Sequence, residues 1–268
     1  MSKALVILSG GQDSTTCLYW ALNHFDEVEA VTFNYGQRHA IEIDAAKNVV
    51  AMASDSYSKK IVHEVVEVGA ILRGTSPLVS SAELDQYADF NSLPGGLEKT
   101  YVPARNLLFL TLACNIAYVK GITELVTGVC QEDFGGYPDC RDRFVKAAAL
   151  ALQEATDRPF QIHTPLMFKS KAEAVLMADR IDGCMAALAF THTGYDGVYP
   201  PTGKDHATLL RAKGFFEAGK ADPLVVRAWV DGLMDLPETS NYDLIRQTHA
   251  KKETDEPVPA EKEVDHVA

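Results

Sequence analysis

The chain has 268 residues, 47% hydrophobic and 23% charged, with a net charge of −12 at pH 7. This suits one large soluble domain with a sizeable core, and the acidic balance argues against a general nucleic-acid surface. No apolar run approaches the ~20 residues of a membrane span, so no membrane partner is expected.

Met1-Ser2-Lys3 runs straight into the apolar stretch Ala4-Leu5-Val6-Ile7, so no secretory signal is expected. That stretch reads as a strand. Leu8-Ser9-Gly10-Gly11-Gln12-Asp13-Ser14-Thr15-Thr16 follows it, and Cys17 to Leu22 continues as a helix starting near Ser14. Adjacent glycines let backbone N–H groups approach an anion, and the helix N-terminus points its positive end at the same place. Ser9, Ser14 and Thr15 add hydroxyl donors. The stretch is therefore a candidate phosphate cradle. It lacks the lysine and spacing of a Walker loop and the dinucleotide fingerprint. The alternative is a plain Gly-Gly turn capped by Asp13 or Ser14.

Glu29 to Phe33 predicts a second strand, followed by Tyr35-Gly36-Gln37-Arg38-His39. A helix over Ile41–Ala53 and a strand over Ile61–Val65 come next. Arg73 to Thr100 holds Gly, Ser and Pro with little periodicity, and reads as a lid, an interface arm or a plain insertion. Tyr101-Val102-Pro103-Ala104-Arg105-Asn106 then precedes an apolar helix over Leu107–Val119, which Asn106 could cap. Arg105 sits against the helix-dipole preference, which an anionic partner would explain; a surface arginine is the alternative. Leu125 to Val129 predicts a strand. Thr127 to Arg141 reads as one strand-to-helix constellation carrying Asp133, Phe134, Tyr137, Pro138, Asp139 and Arg141, before a helix over Phe144–Ala155. Its carboxylates suit the N–H edge of a guanine-like base, its rings suit stacking, and Arg141 suits a substrate carboxylate. Asp139 as a mere cap of the following helix is the alternative. Ser170 and Glu173 form a capping box for a further helix.

The rhythm predicts an α/β fold, a doubly wound and mostly parallel sheet with ligands beyond the carboxyl ends of its strands. A helix over Ala207–Ala218 opens a helical C-terminal region. Residues 1–219 read as the main domain and 220–268 as an extension, disordered after about 250. Five cysteines, Cys17, Cys114, Cys130, Cys140 and Cys184, include no C-x-x-C pair, so free thiols in a cytoplasmic setting are expected.

The pattern S-G-G-x-D-S resembles the PP-loop of N-type ATP pyrophosphatases. S-G-G-Q-D-S-T-T, Y-G-Q-R-H, V-P-A-R-N, T-G-V-C-x-x-D-F-x-G-Y-P-D-C-R and H-T-P-L-M-x-x-x-K-A-E occur in order. Together, from Ala4 to about Gly219, they resemble the 7-cyano-7-deazaguanine synthases of queuosine biosynthesis. The resemblance implies a Rossmann-like, adenine-nucleotide-α-hydrolase-like fold. It implies an ATP-dependent ligase that adenylates 7-carboxy-7-deazaguanine, forms the amide with ammonia, and activates it again to give the nitrile. ATP with Mg2+ would lie on Leu8, Ser9, Gly10, Gly11, Gln12, Asp13, Ser14, Thr15, Thr16, Tyr35 and Arg38. The base would lie on Arg105, Asp133, Phe134, Tyr137, Pro138, Asp139 and Arg141. Asp13, Ser14, Arg105 and Lys171 would serve the chemistry. A homodimer is compatible with the family.

The chain departs from the family's pattern in one respect above all. Four zinc cysteines are replaced by Gly194, Thr202, Asp205 and Thr208, a set that binds zinc poorly, so no zinc is expected. His192, Asp205 and His206 are the residues left that could in principle hold a metal. Gly135 replaces the family's usual serine, which opens two other outcomes, arrest at the amide or transfer to another amine. A non-catalytic ATP-binding module is the rival of another class.

Overall fold

Five strands, β1 (Lys3–Ile7), β2 (Glu27–Asn34), β3 (Val62–Glu67), β4 (Glu124–Val126) and β5 (Gln161–His163), form one parallel sheet in the order β3-β2-β1-β4-β5. The computed structural model describes residues 1–36, 41–69, 71–80, 82–93, 96–131 and 136–255, with side chains to residue 249. The helices are α1 (Gln12–His24), α2 (Ile41–Tyr57), α3 (Arg105–Lys120), α4 (Asp142–Thr156), α5 (Lys171–Asp179), α6 (Cys184–Leu188), α7 (His206–Glu217), α8 (Pro223–Val230) and α9 (Asp243–Asp255).

The doubly wound α/β arrangement follows from the alternation of side chains along the central strand. Ala4 and Val6 of β1 face a core shared with Leu18 of α1, Val49 of α2, Val175 of α5 and Leu188 of α6. Leu5 faces the opposite way, toward Leu110 and Ala113 of α3 and Leu152 of α4. Burial on both faces explains why these strands read as continuous apolar runs rather than alternating ones. Each buried leucine contributes about 1.5–3 kcal/mol.

The chain reverses direction across the sheet at β1, which has β2 on one side and β4 on the other. The carboxyl ends of β1 and β4 therefore open a crevice, the usual ligand position in such sheets. Gly128, just past β4, closes that crevice from one side. A Cβ there would lie 2.9 Å from the Ser14 backbone nitrogen.

Several boundaries differ from the sequence reading. β4 stops at Val126 rather than Val129, because Gly128 packs against the start of α1. β5 and α6 are too short to show a period. α1 begins at Gln12, with Gly11 at the N-cap and no side-chain cap, so neither Asp13 nor Ser14 serves that role. Asn106 does not cap α3 either. The Asn106 N–H instead donates to Asp139 Oδ2 at 3.1 Å, so the cap comes from the loop before α4. The Ser170–Glu173 capping box of α5 is present as expected.

The excursion between β3 and α3 is seated on the body. Ser76 Oγ donates to the Thr100 carbonyl at 3.0 Å within the excursion, and the Tyr87 N–H reaches out of it to the Lys204 carbonyl at 2.8 Å. Past residue 219, Asp222 caps α8 and grips Arg211 of α7 from both sides, tying the C-terminal region to the core. α9 runs to Asp255; the rest of the expected disordered tail, 256–268, lies outside the described residues. The five cysteines are buried thiols. Among the described residues no helix is long and apolar enough to cross a membrane.

Candidate nucleotide and substrate site

The loop after β1 is drawn tightly over the start of α1, with the Ser9 and Gly11 N–H groups donating to the Ser14 and Ser9 hydroxyls. Gly10 takes φ +87°, and a Cβ there would fall 2.3 Å from the Glu42 carbonyl oxygen, so only glycine fits. The Gly10 carbonyl accepts the His192 N–H at 3.0 Å. Ser14 Oγ lies 3.0 Å from Ser9 Oγ and accepts the Ser9 N–H at 3.1 Å, which folds the loop over the first turn of α1. The 13-residue α1 then directs its dipole at the crevice.

A cavity of about 320 Å³ opens over this loop. Leu8, Ser9, Gly11, Gln12, Asp13 and Ser14 form its floor, and Tyr35, Arg105, Tyr137 and Lys171 rise around it. Lys171, the first residue of α5, donates to Asp13 Oδ2 at 2.7 Å. A cation is thereby held beside the loop where phosphate charge would gather. Arg105 Nη1 approaches the Tyr35 hydroxyl at 3.5 Å. Burial works against the Arg105 charge, while the hydroxyls of Tyr35, Tyr195 and Tyr137 hold its pKa raised. Ala104, in front of Arg105, adopts φ +59°, a strained value for a residue with a Cβ. The Val102-Pro103-Ala104 turn therefore aims the guanidinium into the cavity rather than to solvent.

Glu42, in the first turn of α2, completes the wall and was absent from the sequence reading. Burial pushes its carboxyl up to about 7, with Arg105 pulling the other way. His192, Tyr195, His206 and Arg211 line the same cavity from the segment before α7 and from α7 itself. Their chain distance from the glycine loop hid that convergence.

Not every expected residue reaches the cavity. Gly10, Thr15 and Thr16 shape the loop, with Thr15 and Thr16 turned into the core. Pro138, Asp139 and Arg141 stand behind the lining. Asp139 accepts the Asn106 N–H, and burial raises its pKa. Arg141 donates to the Gly136 carbonyl at 3.3 Å. Tyr137 is held by Thr100 through a 2.6 Å hydroxyl pair. Arg38, Asp133 and Phe134 lie outside the described residues.

The four positions that replace cysteines do come together. A Cβ on Gly194 would meet Asp196 Oδ1 at 2.8 Å, and Asp205 Oδ2 and Thr208 Cγ2 at 3.5 Å. Thr202 Oγ1 donates to Asp196 Oδ2 at 2.6 Å, and Asp205 caps α7 through the Thr208 N–H at 3.0 Å. Glycine and threonine do not fit the closed cysteine or histidine set of structural zinc. Among the described residues no group of three or more His, Cys, Asp or Glu side chains is arranged to hold a metal ion. Nearby, Arg227 stacks on Tyr199 and Phe190 at 4.2 and 4.6 Å and donates to the Tyr199 hydroxyl. Leu210 and Phe215 anchor α7 in the core, whereas Phe216 is exposed.

Comparison with known proteins places this geometry in a family. Residues 3–219 match the family model described as queuosine biosynthesis protein QueC. The 7-cyano-7-deazaguanine synthase of Gloeobacter violaceus is 50% identical over 229 residues, covering 84% of this chain and 96% of that protein. The Chromobacterium violaceum enzyme of the same name is 49% identical over 227 residues, covering 84% and 94%. Among solved structures, a 4-thiouridine synthetase crystallised with RNA and bound ATP aligns at TM-score 0.46 and 18% identity, over 87% of this chain and 50% of that one. That likeness is too distant to assign a fold, which rests on the sheet itself. With about half of the aligned residues identical over nearly the full length of such relatives, the chain belongs to the 7-cyano-7-deazaguanine synthase (QueC) family.

Proposed function

We propose that the protein is an ATP-dependent carbon–nitrogen ligase that converts 7-carboxy-7-deazaguanine and ammonia to 7-cyano-7-deazaguanine. The observation that carries this reading is the cavity itself. A glycine-loop anion cradle, the Lys171–Asp13 pair and Arg105 converge at the switch point of the sheet.

ATP would place its phosphates on the N–H groups that open α1, at Gln12 and Asp13, since the Ser9 and Gly11 N–H groups donate within the loop. A substrate carboxylate oxygen attacks the α-phosphorus, the bond to pyrophosphate breaks, and pyrophosphate carries the electron pair away. Lys171 and Arg105 offset the charge that builds on the phosphates and the carboxylate. Asp13 commits Oδ2 to Lys171, leaving Oδ1 available. One such carboxylate beside substrate phosphates is the donor set Mg2+ usually takes, and bound Mg2+ would neutralise phosphate charge there. Tyr137 stands where it can pack on a purine-like ring, with Asp139 behind it setting the start of α3 and thereby Arg105. A cytoplasmic site of action and zinc-free folding belong to the same reading, supported by five scattered cysteines with no C-x-x-C pair and by the residues at the four replaced positions. So does a homodimer, for which the exposed Leu107, Tyr118 and Val119 of α3 offer an apolar surface.

The test is isotope exchange between pyrophosphate and ATP. Exchange that requires 7-carboxy-7-deazaguanine is expected. ATP binding with no exchange would favour a non-catalytic nucleotide module.

A further inference from the structure

Two carboxylates belong to the cavity wall among the described residues, and their settings differ. Asp13 is paired with Lys171 at 2.7 Å. Glu42 feels the charge of Arg105 instead, in a half-buried position. Its backbone carbonyl abuts Gly10, so its side chain starts directly beside the anion cradle. Asp44, two residues on, shows the contrast: it is exposed and paired with Lys47.

The amide-forming step needs a group of this kind. At neutral pH ammonia is mostly ammonium, which has no lone pair to attack with. We infer that Glu42 takes a proton from the incoming ammonium and releases neutral ammonia against the adenylated carboxylate. This inference rests on the reading proposed above. The Glu42 carboxylate becomes the acid, and the ammonia lone pair forms a C–N bond at the acyl carbon. The C–O bond to AMP breaks with its electron pair on the phosphate, and a second N–H proton leaves on that phosphate. Glu42 returns its proton to water. In the second activation the amide oxygen attacks the α-phosphorus, and pyrophosphate leaves with the electron pair of the broken bond. One of the two amide N–H protons passes to water, and Glu42 then accepts the last N–H proton. Those N–H electrons become the third C–N bond as AMP departs. A carboxyl that titrates near the working pH is suited to such transfer, and burial brings Glu42 there. Among the described residues, the titratable and charged groups that line the cavity with it are Arg105 from α3, Tyr35 after β2, the Asp13–Lys171 pair, Tyr137 and Cys140 before α4, and His192, Tyr195, His206 and Arg211 from the segment around α7.

The experiment compares wild type with Glu42→Gln in two assays at pH 6–9, substrate-dependent pyrophosphate exchange and single-turnover amide formation from ammonia. Exchange should stay within about twofold, since adenylation needs no base. Amide formation should fall about 10²–10⁴-fold and lose its rising limb near neutrality. Hydroxylamine, already neutral at pH 7, should restore most of the rate. Glu42→Asp, which keeps a carboxylate, should recover part of it. Unchanged amide formation would overturn the inference, as would an equal loss of exchange, which would assign Glu42 to the nucleotide or the fold. Equal losses with ammonia and hydroxylamine would also overturn it. A wild-type protein without exchange would instead overturn the parent reading, and this inference with it.

Discussion

Asp13 and Glu42 show how the surroundings of a residue set its chemistry. Asp13 is held by Lys171 beside the glycine loop, so Asp13→Ala should release that lysine and remove the one carboxylate offered to the phosphates. AMP release should drop at least about 10²-fold, with an unchanged circular dichroism spectrum. Full activity would remove Asp13 from the mechanism, and a lost fold would make it a structural residue. Glu42 makes a stability prediction with a definite sign. Its ordinary value of 4.5 is pushed up to about 7 in the folded protein. The folded state therefore binds the proton more tightly, and this contribution is complete below 4.5 and gone above about 7. Glu42→Gln should accordingly be more stable than wild type at pH 8 by on the order of 1–3 kcal/mol, once solvent screening of a half-buried group is allowed for. The two should melt alike near pH 4. Chemical denaturation at both pH values checks this, and a less stable variant at pH 8 would mean that Glu42 is satisfied by its neighbours.

At the scale of elements, the site depends on contacts between the starts of helices. α2 touches the loop before α1 through Gly10, and the loop before α4 caps α3 through Asp139. Gly10→Ala should push α2 away and abolish ATP binding while leaving the distant α3–α4 core intact. Asp139→Ala should cost about 1–2 kcal/mol of stability, the usual value of a lost cap. It should also weaken substrate binding more than ATP binding, because Arg105 sits in the same turn. Loss of ATP affinity alone would contradict that placement. These contacts mark what the sequence could and could not tell. The glycine loop, β1, β2, α2, α3 and the α5 capping box were readable, because each carries a local period or a turn signal. β5 and α6 were not, being too short for a period. The cap on α3 comes from a residue 33 positions away, and no local rule connects Asn106 to Asp139. Glu42 reads as an ordinary acid in the first turn of an amphipathic helix. Only the fold of Gly10 against its carbonyl puts it in the cavity.

At the scale of the whole molecule, the C-terminal region is fastened by buried hydrogen bonds. Arg211 donates to Asp222 Oδ1 and Oδ2, to Thr191 and Thr193, and to the Leu188 carbonyl, so its guanidinium joins α6, α7 and α8. Arg211→Ala leaves Asp222 buried and unpaired, which should cost about 3–5 kcal/mol. The melting temperature should fall by many degrees, while a fall under two degrees would show that the joint is dispensable. The same fastening accounts for a chain without the cysteine set. Structural zinc contributes roughly 10–16 kcal/mol in zinc-finger peptides, so chelators unfold such domains. Here a strong chelator should leave the melting curve unmoved, and elemental analysis should find less than one zinc per chain. A stoichiometric zinc, or a melting point that falls on chelation, would make His192, Asp205 and His206 the first side chains to substitute. The central claim is the reaction, and its most direct measurement is the product balance. The purified protein is incubated with ATP, isotopically heavy ammonia and 7-carboxy-7-deazaguanine, and all species are weighed by mass spectrometry. Two successive activations predict a nitrile carrying the heavy nitrogen, with two AMP released for each. An amide with one AMP, or a conjugate to another amine, would contradict the assigned product, and no substrate-dependent AMP at all would contradict the enzyme.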